Sequence, residues 1–224
     1  MRRSLWIRAG IRWLIFFVGI FLISLGIAFM LRTGLGLSPW DVFHQGLTYH
    51  TPLTMGQAMQ LTGGILILMS WILGYKPGVG TIINMLGIGY LFDLLVIQIP
   101  DVQGILFRLV VFLLGVAIYG LGSALYIVCN FGAGPRDSLM LALHRRTGKS
   151  VARMRTGIEI FAVATGYLMG GLVGLGTVIF SLGIGPSIGW FLPRTELWLE
   201  AAKGAERVKE KSGAVDGRCE EVSS

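Results

Sequence analysis

Along most of this chain apolar residues do not alternate with polar ones; they run in uninterrupted blocks. Residues 13–31 and 55–73 hold no charged side chain, 79–99 hold only Asp93 near their end, and 109–131 hold none. The stretch 160–193 is again uncharged and too long for one helix, and Gly170-Gly171 with Gly174 and Gly176 offers the break. A hydrocarbon core of roughly 30 Å takes about 20 apolar residues in a helix, so these blocks predict six membrane spans. The first block follows Arg2, Arg3, Arg8 and Arg12 as a signal peptide's would, but its apolar core is long and no A-x-A cleavage site follows. It reads as a retained anchor.

The blocks repeat. A shift of 96 residues lays GVGTIINMLGIG (78–89) on GLGTVIFSLGIG (174–185) with 8 of 12 positions identical and no gap. The same shift pairs Arg12 with Arg108, Gly19 with Gly115, Gly26 with Gly122, Gly36 with Gly132, Pro39 with Pro135 and Asp41 with Asp137. Shared spacing across such different residue types points to duplication. Each copy holds three spans, so the second copy must enter the membrane from the opposite face, the inverted-repeat plan of many secondary transporters. The expected architecture is an all-α membrane protein of six transmembrane helices in two inverted three-helix repeats. Residues 1–97 form the first repeat, 98–193 the second, and 194–224 a cytoplasmic tail.

Between the first and second span of each copy lies a segment too short to cross. Ser38-Pro39-Trp40-Asp41 reads as a helix start, with Ser at the N-cap, Pro at the first helical position and an acid where the dipole favours it. Gly134-Pro135-Arg136-Asp137 repeats it, and each opens a short re-entrant or interfacial helix. Thr54 with Gln57 makes a capping box, and Ser150 opens the equivalent span.

Charge then fixes an expected orientation. The net +7 suggests a nucleic-acid partner until it is divided: residues 1–193 hold 13 Lys and Arg against 5 acids, and the tail holds 6 against 7. With the N-terminus cytoplasmic, eleven basic residues fall inside, from Arg2 to Arg155, and only Arg32 and Arg108 outside. This is the bias expected of a multi-pass protein with both termini cytoplasmic. It also places Asp41 at the outer face and Asp137 at the inner one. The partner this implies is the lipid bilayer, not a nucleic acid. The 33 glycines suit close helix packing, and a homodimer is compatible with them.

At this point the motifs GLGLSPWDVFHQGL, TPLTMGQ and GVGTIINMLGIGYLFD resemble the bacterial YitT/YczE-like integral membrane family over roughly residues 10–192. The resemblance implies a protein of the bacterial cytoplasmic membrane and no settled biochemical activity. In the second copy Arg136 replaces Trp40, so any ligand contact there is asymmetric.

The remaining polar residues at membrane depth each have a plain and a functional reading. Glu159 sits one turn after Arg155 and forms an ion pair with it, or serves a coupling ion. Asp93 reaches the outer interface or lines a pathway. Asn84, matched by Phe180, makes an interhelical hydrogen bond. His44, His50 and His144 lack an i,i+4 partner, and Cys129 and Cys219 lack metal-ligand spacing, so no metal or cofactor is expected. Gly148-Lys149-Ser150 mimics the end of a phosphate loop, but Leu143 stands where that loop needs Gly, so no nucleotide is expected either. The tail places Trp198, Ala201, Ala205 and Val208 on one stripe of an amphipathic helix, with 212–224 disordered.

Three function classes remain: a small-molecule or ion permease, a non-transporting partner or assembly factor of another complex, and an intramembrane enzyme. No acid, base and nucleophile share one depth in this reading, which disfavours the enzyme. The candidate pathway residues are Asp41, Asp137, Pro39, Pro135, Trp40, Arg136, Glu159, Asp93 and Asn84; the substrate is undetermined.

Overall fold

The computed structural model describes residues 2–222, with side chains described for 10–199. The amphipathic stripe beyond Trp198 concerns side chains outside that description; the disorder expected over 212–224 is corrected for 212–222, which continue the last helix, while 223–224 lie outside the described residues. Among the described residues the chain is helical throughout: α1 (Arg2–Thr33), α2 (Pro39–Thr48), α3 (Met55–Ile72), α4 (Val79–Val96), α5 (Ile105–Val128), α6 (Pro135–Thr147), α7 (Val151–Leu168) and α8 (Leu175–Val222). The starts of α2, α3 and α4 recur 96 residues later as those of α6, α7 and α8.

Five segments are long and apolar enough to cross a bilayer: Gly10–Thr33, Met55–Ile72, Val79–Val96, Ile105–Val128 and Leu175–Leu199. α7 falls outside this set, against the expectation of six, because it begins at Val151 and so takes in Arg153, Arg155 and Glu159. Large apolar side chains such as Phe17, Ile72, Ile97, Phe107 and Leu168 stand exposed on the outer surface, Leu168 at 82%. Facing water, such a belt would be unstable; facing lipid, it is what a multi-pass membrane protein presents.

α1 and α5 make the most extensive helix pair. A Cβ built on Gly122 would lie 2.7 Å from Gly19 O, and one on Gly26 would lie 2.7 Å from Gly115 O. Those pairings run antiparallel, and no residue but glycine lets the two backbones come so close. Each helix also closes the other's C-terminus. Arg12 Nη2 donates to Cys129 O at 2.6 Å, and its counterpart Arg108 donates through Nε to Thr33 O. A guanidinium there satisfies a carbonyl that has no partner within the helix and offsets the negative end of the dipole.

The loops after α1 and α5 are tied down in matching fashion. Gly36 (φ +128) sits against Gly174 and Thr177, and Gly132 (φ +135) against Gly78 and Thr81. Gly176 N donates to Leu35 O at 2.8 Å, and Gly80 N to Phe131 O at 3.1 Å. A side chain at either glycine would be strained by φ and would collide with the threonine hydroxyl, 2.8 Å from the built Cβ in both cases.

The helices sort into two units. In the first, α4 packs on α1 and α8 on α5 around the α1–α5 spine; in the second, α2 packs on α7 and α3 on α6, with α2–α3 and α6–α7 contacts joining them. The units meet chiefly along one seam, between α3 and α4. There Asp93 Oδ1 accepts from Gly56 N at 2.9 Å, and Gln60 Nε2 donates to Leu86 O at 2.9 Å. A Cβ on Gly89 would meet Gln60 Cγ at 2.7 Å and the backbone of Gly56. The equivalent pair, α7 and α8, makes no comparable contact among the described residues. Gly185, the counterpart of Gly89, would place a Cβ with nothing within 4 Å.

Candidate functional site

Where α7 stands away from α8 the two units enclose a cavity of about 570 Å³. α2 contributes Pro39, Trp40 and His44; α6 contributes Pro135, Arg136 and Asp137; α7 contributes Arg155 and Glu159. Tyr119, Ser123 and Tyr126 of α5, Asn84 of α4, Thr62 of α3 and Ser181 of α8 add to its polar lining, between aliphatic residues of α1, α3 and α8. A mostly apolar hollow with a few convergent polar groups is the usual form of a small-molecule site.

The local sequence explains how α2 delivers a charge to this depth. Ser38 is extended (ψ 156°), so its Oγ can cap the helix, accepting from Asp41 N at 3.3 Å and donating to Asp41 Oδ2 at 2.5 Å. Pro39 occupies the first turn, where a missing N–H costs nothing. Asp41 is fully buried, and an unpaired carboxylate in that position would be costly. Arg136 Nη2 approaches to 3.7 Å of Asp41 Oδ1, and its guanidinium lies over the Trp40 ring, 5.4 Å from the centroid. His44 Nδ1 is 3.5 Å from the same oxygen.

The offset that equates Asp41 with Asp137 conceals a difference between them. α6 is capped by Gly134, which brings no side-chain hydrogen bond. Asp137 has no ion pair or hydrogen bond among the described residues and presents an exposed carboxylate to the cavity. Beyond it Arg155 Nε donates to Glu159 Oε1 at 3.0 Å, the local ion pair expected from their spacing.

The structure thus brings together Pro39, Trp40, Asp41, Asn84, Pro135, Arg136, Asp137 and Glu159, and leaves Asp93 apart. Asp93 is a structural acid: it accepts from Thr54 Oγ1 at 2.5 Å and from Gly56 N, closing the start of α3. Two expectations are corrected. Asp41 and Asp137 do not sit at opposite faces; both short helices turn inward and their first turns meet at one cavity. Asn84 makes no interhelical hydrogen bond among the described residues, because its amide faces the cavity. Asp41 and His44 also share one depth, and the Ser38 hydroxyl beside them donates to the carboxylate and not to the imidazole.

An i,i+4 spacing does not single out His44. Its partner stands at i−3, a spacing that also places two side chains on one helix face. His50 Nε2 lies 3.1 Å from Met169 O and His144 Nδ1 lies 2.7 Å from Lys149 O, and neither lines the cavity. No group of three metal-ligating side chains occurs among the described residues.

Residues 10–193 match the model of a family of unknown function, DUF6198. The chain is similar to the uncharacterized membrane protein YczE of Bacillus subtilis, 33% identical over 187 residues that make up 83% of this chain and 87% of that protein. It is also similar to an uncharacterized protein of Haemophilus influenzae, 33% identical over 171 residues (76% and 78% of the two chains). A third relative, the uncharacterized protein YyaS of Bacillus subtilis, is 30% identical over 166 residues (72% and 83%). No solved structure matches the chain.

Proposed function

The chain belongs to the DUF6198 family of unknown function, whose model matches residues 10–193, and from that premise we propose that it is a small-molecule or ion permease working by alternating access. In this reading α7 is the sixth span, its charged turns facing the cavity instead of lipid, and the two copies are inverted repeats related by a two-fold axis in the membrane plane. The protein carries its solute without altering it.

The observation that carries the proposal is the inequality of two helix pairs made equivalent by the 96-residue offset: α3 is sealed on α4, while α7 stands clear of α8. Two copies of one unit in two different arrangements are what an inverted-repeat carrier adopts in each of its end states, with the arrangements exchanged between states. The antiparallel contacts of Gly19 with Gly122 and Gly26 with Gly115, and the reciprocal capping by Arg12 and Arg108, support the two-fold relation. The charge bias favours an orientation with both termini and the start of α7 in the cytoplasm. The sealed seam then closes the outer side, and the cavity opens inward.

Solute flux into liposomes containing the purified protein tests this reading, with candidate solutes taken from an unbiased comparison of metabolite uptake by cells with and without it. Flux that depends on the protein is expected. Its absence for every solute found that way would leave a non-transporting partner or assembly factor as the better account.

A further inference from the structure

Two buried polar atoms at the head of the cavity lack hydrogen-bond partners, and they belong to neighbouring side chains. Asp41 Oδ1 and His44 Nδ1 are both sealed and unbonded, yet they stand 3.5 Å apart on one face of α2. That gap is a few tenths of an ångström beyond a normal hydrogen bond, so a small closure satisfies both atoms at once. His44 also lines the cavity, although its side chain is only 3% exposed. The imidazole is therefore held between a carboxylate on its Nδ1 side and the cavity wall to which it contributes, the arrangement in which a histidine exchanges a proton with what it faces.

We propose that His44, backed by Asp41, is the proton-coupling site of this permease, and that Arg136 is the cation whose hold on Asp41 the proton relieves. The proposal rests on the permease reading. A proton from cavity water adds to Nε2 while Nδ1–H remains directed at Asp41 Oδ1, and the pair passes from one net negative charge to none. Arg136, 3.7 Å from that same oxygen, then faces a neutralised pair and swings toward the cavity along the Trp40 ring. The other charged and titratable groups facing this point are Asp137 of α6, Arg155 and Glu159 of α7, and Tyr119 and Tyr126 of α5. Of the described groups, only Arg136 and His44 lie within 4 Å of the Asp41 carboxylate as charge partners. In the inward-open state the proton exchanges with the cytoplasm. With the two helix pairs exchanged, the same nitrogen faces outside.

The test uses the full chain in nanodiscs with His50→Gln and His144→Gln, leaving His44 as the one histidine of the protein, followed by ring-nitrogen NMR across the pH range. A single titration is expected. Arg136→Gln should move it upward by about one to three pH units, since a nearby like charge is removed and Asp41 is freed to pair; Asp41→Asn should move it downward by a similar amount. Dispersed spectra and melting curves establish that each variant is folded, and either variant alone suffices. A ring that keeps one protonation state between about pH 4 and 9, or that titrates identically with and without Arg136, overturns the proposal. Protein-dependent solute flux that ignores a pH gradient also removes the proton coupling while leaving the permease reading intact. Absence of all solute flux removes both.

Discussion

The guanidinium of Arg136, in the first turn of α6, stands 3.7 Å from the buried carboxylate of Asp41, in the first turn of α2. One ion pair thus joins the two short helices across the internal repeat. Its energetic weight is limited on one side: the Arg136 side chain is 32% exposed while that of Asp41 is 1% exposed. Arg136→Gln should lower stability by about 1–3 kcal/mol, chiefly because it leaves a buried carboxylate without its cation. Asp41→Asn should cost less, and the double variant should recover part of the loss. A coupling energy of about 0.5–3 kcal/mol from the four melting curves is expected; additive losses would mean that the pair does not form.

Asp41 and Asp137 separate scaffolding from function by their different surroundings. Asp137 has no described partner, so Asp137→Asn should leave the melting temperature unchanged within error. Asp41 is held by Ser38, and Asn in its place keeps an acceptor for that hydroxyl. Both substitutions should nevertheless reduce whole-cell complementation severely, because one removes a charge from the cavity lining and the other the buried charge that holds Arg136 and His44 there. Normal complementation by the two folded variants would reduce both acids to helix-start residues.

Much of this arrangement is legible in the sequence, because the signals are local. Ser38-Pro39 and Thr54 with Gln57 start helices where their hydrogen-bonding chemistry places them. Gly170, at φ +90, breaks the long apolar run between α7 and α8. The offset of 96 survives in matched loops and caps. What the sequence hides is contact between distant segments. Aligning the copies equates Arg136 with Trp40 and Asp41 with Asp137, and alignment says nothing of a partnership between Arg136 and Asp41. Reading the two acids at opposite faces followed from topology alone, which takes no account of short helices turning inward. Asn84 looked like half of an interhelical bond, since a polar residue in an apolar helix needs a partner; the cavity removes that need.

Topology can be checked at exposed loop positions in a chain freed of its own two cysteines. Tyr49, Gln103 and Thr147 all stand on the surface. Single cysteines at Tyr49 and Gln103 should react with an impermeant thiol reagent added to intact cells, and one at Thr147 should react only after the membrane is opened. Labelling of Thr147 from outside would invalidate the inverted arrangement.

The two seams give the sharpest contrast, because Gly89 and Gly185 hold equivalent places with opposite surroundings. At Gly89 a methyl group would press on Gln60 Cγ at 2.7 Å and on the Gly56 backbone, so Gly89→Ala should force α3 away from α4. Overpacking of that kind costs about 1–3 kcal/mol, and the melting temperature should fall. At Gly185 there is open space for 4 Å beyond its chain neighbours, and the up to about 1 kcal/mol gained by replacing a helical glycine is set against the crowding of a new Cβ by Pro186, which follows it in α8. Gly185→Leu should therefore stay folded, with a melting temperature close to the parent's. If this chain only scaffolds another complex, that variant should also be fully active. If α7 must close on α8 in the second state, the leucine occupies the space that closure needs, and activity should fall by at least about tenfold, the equivalent of ~1.4 kcal/mol against the closed state. Complementation and liposome flux read the activity, while melting in detergent reads the fold. A stable, fully active Gly185→Leu protein would rule out closure at this seam, and alternating access by exchange of the two helix pairs with it.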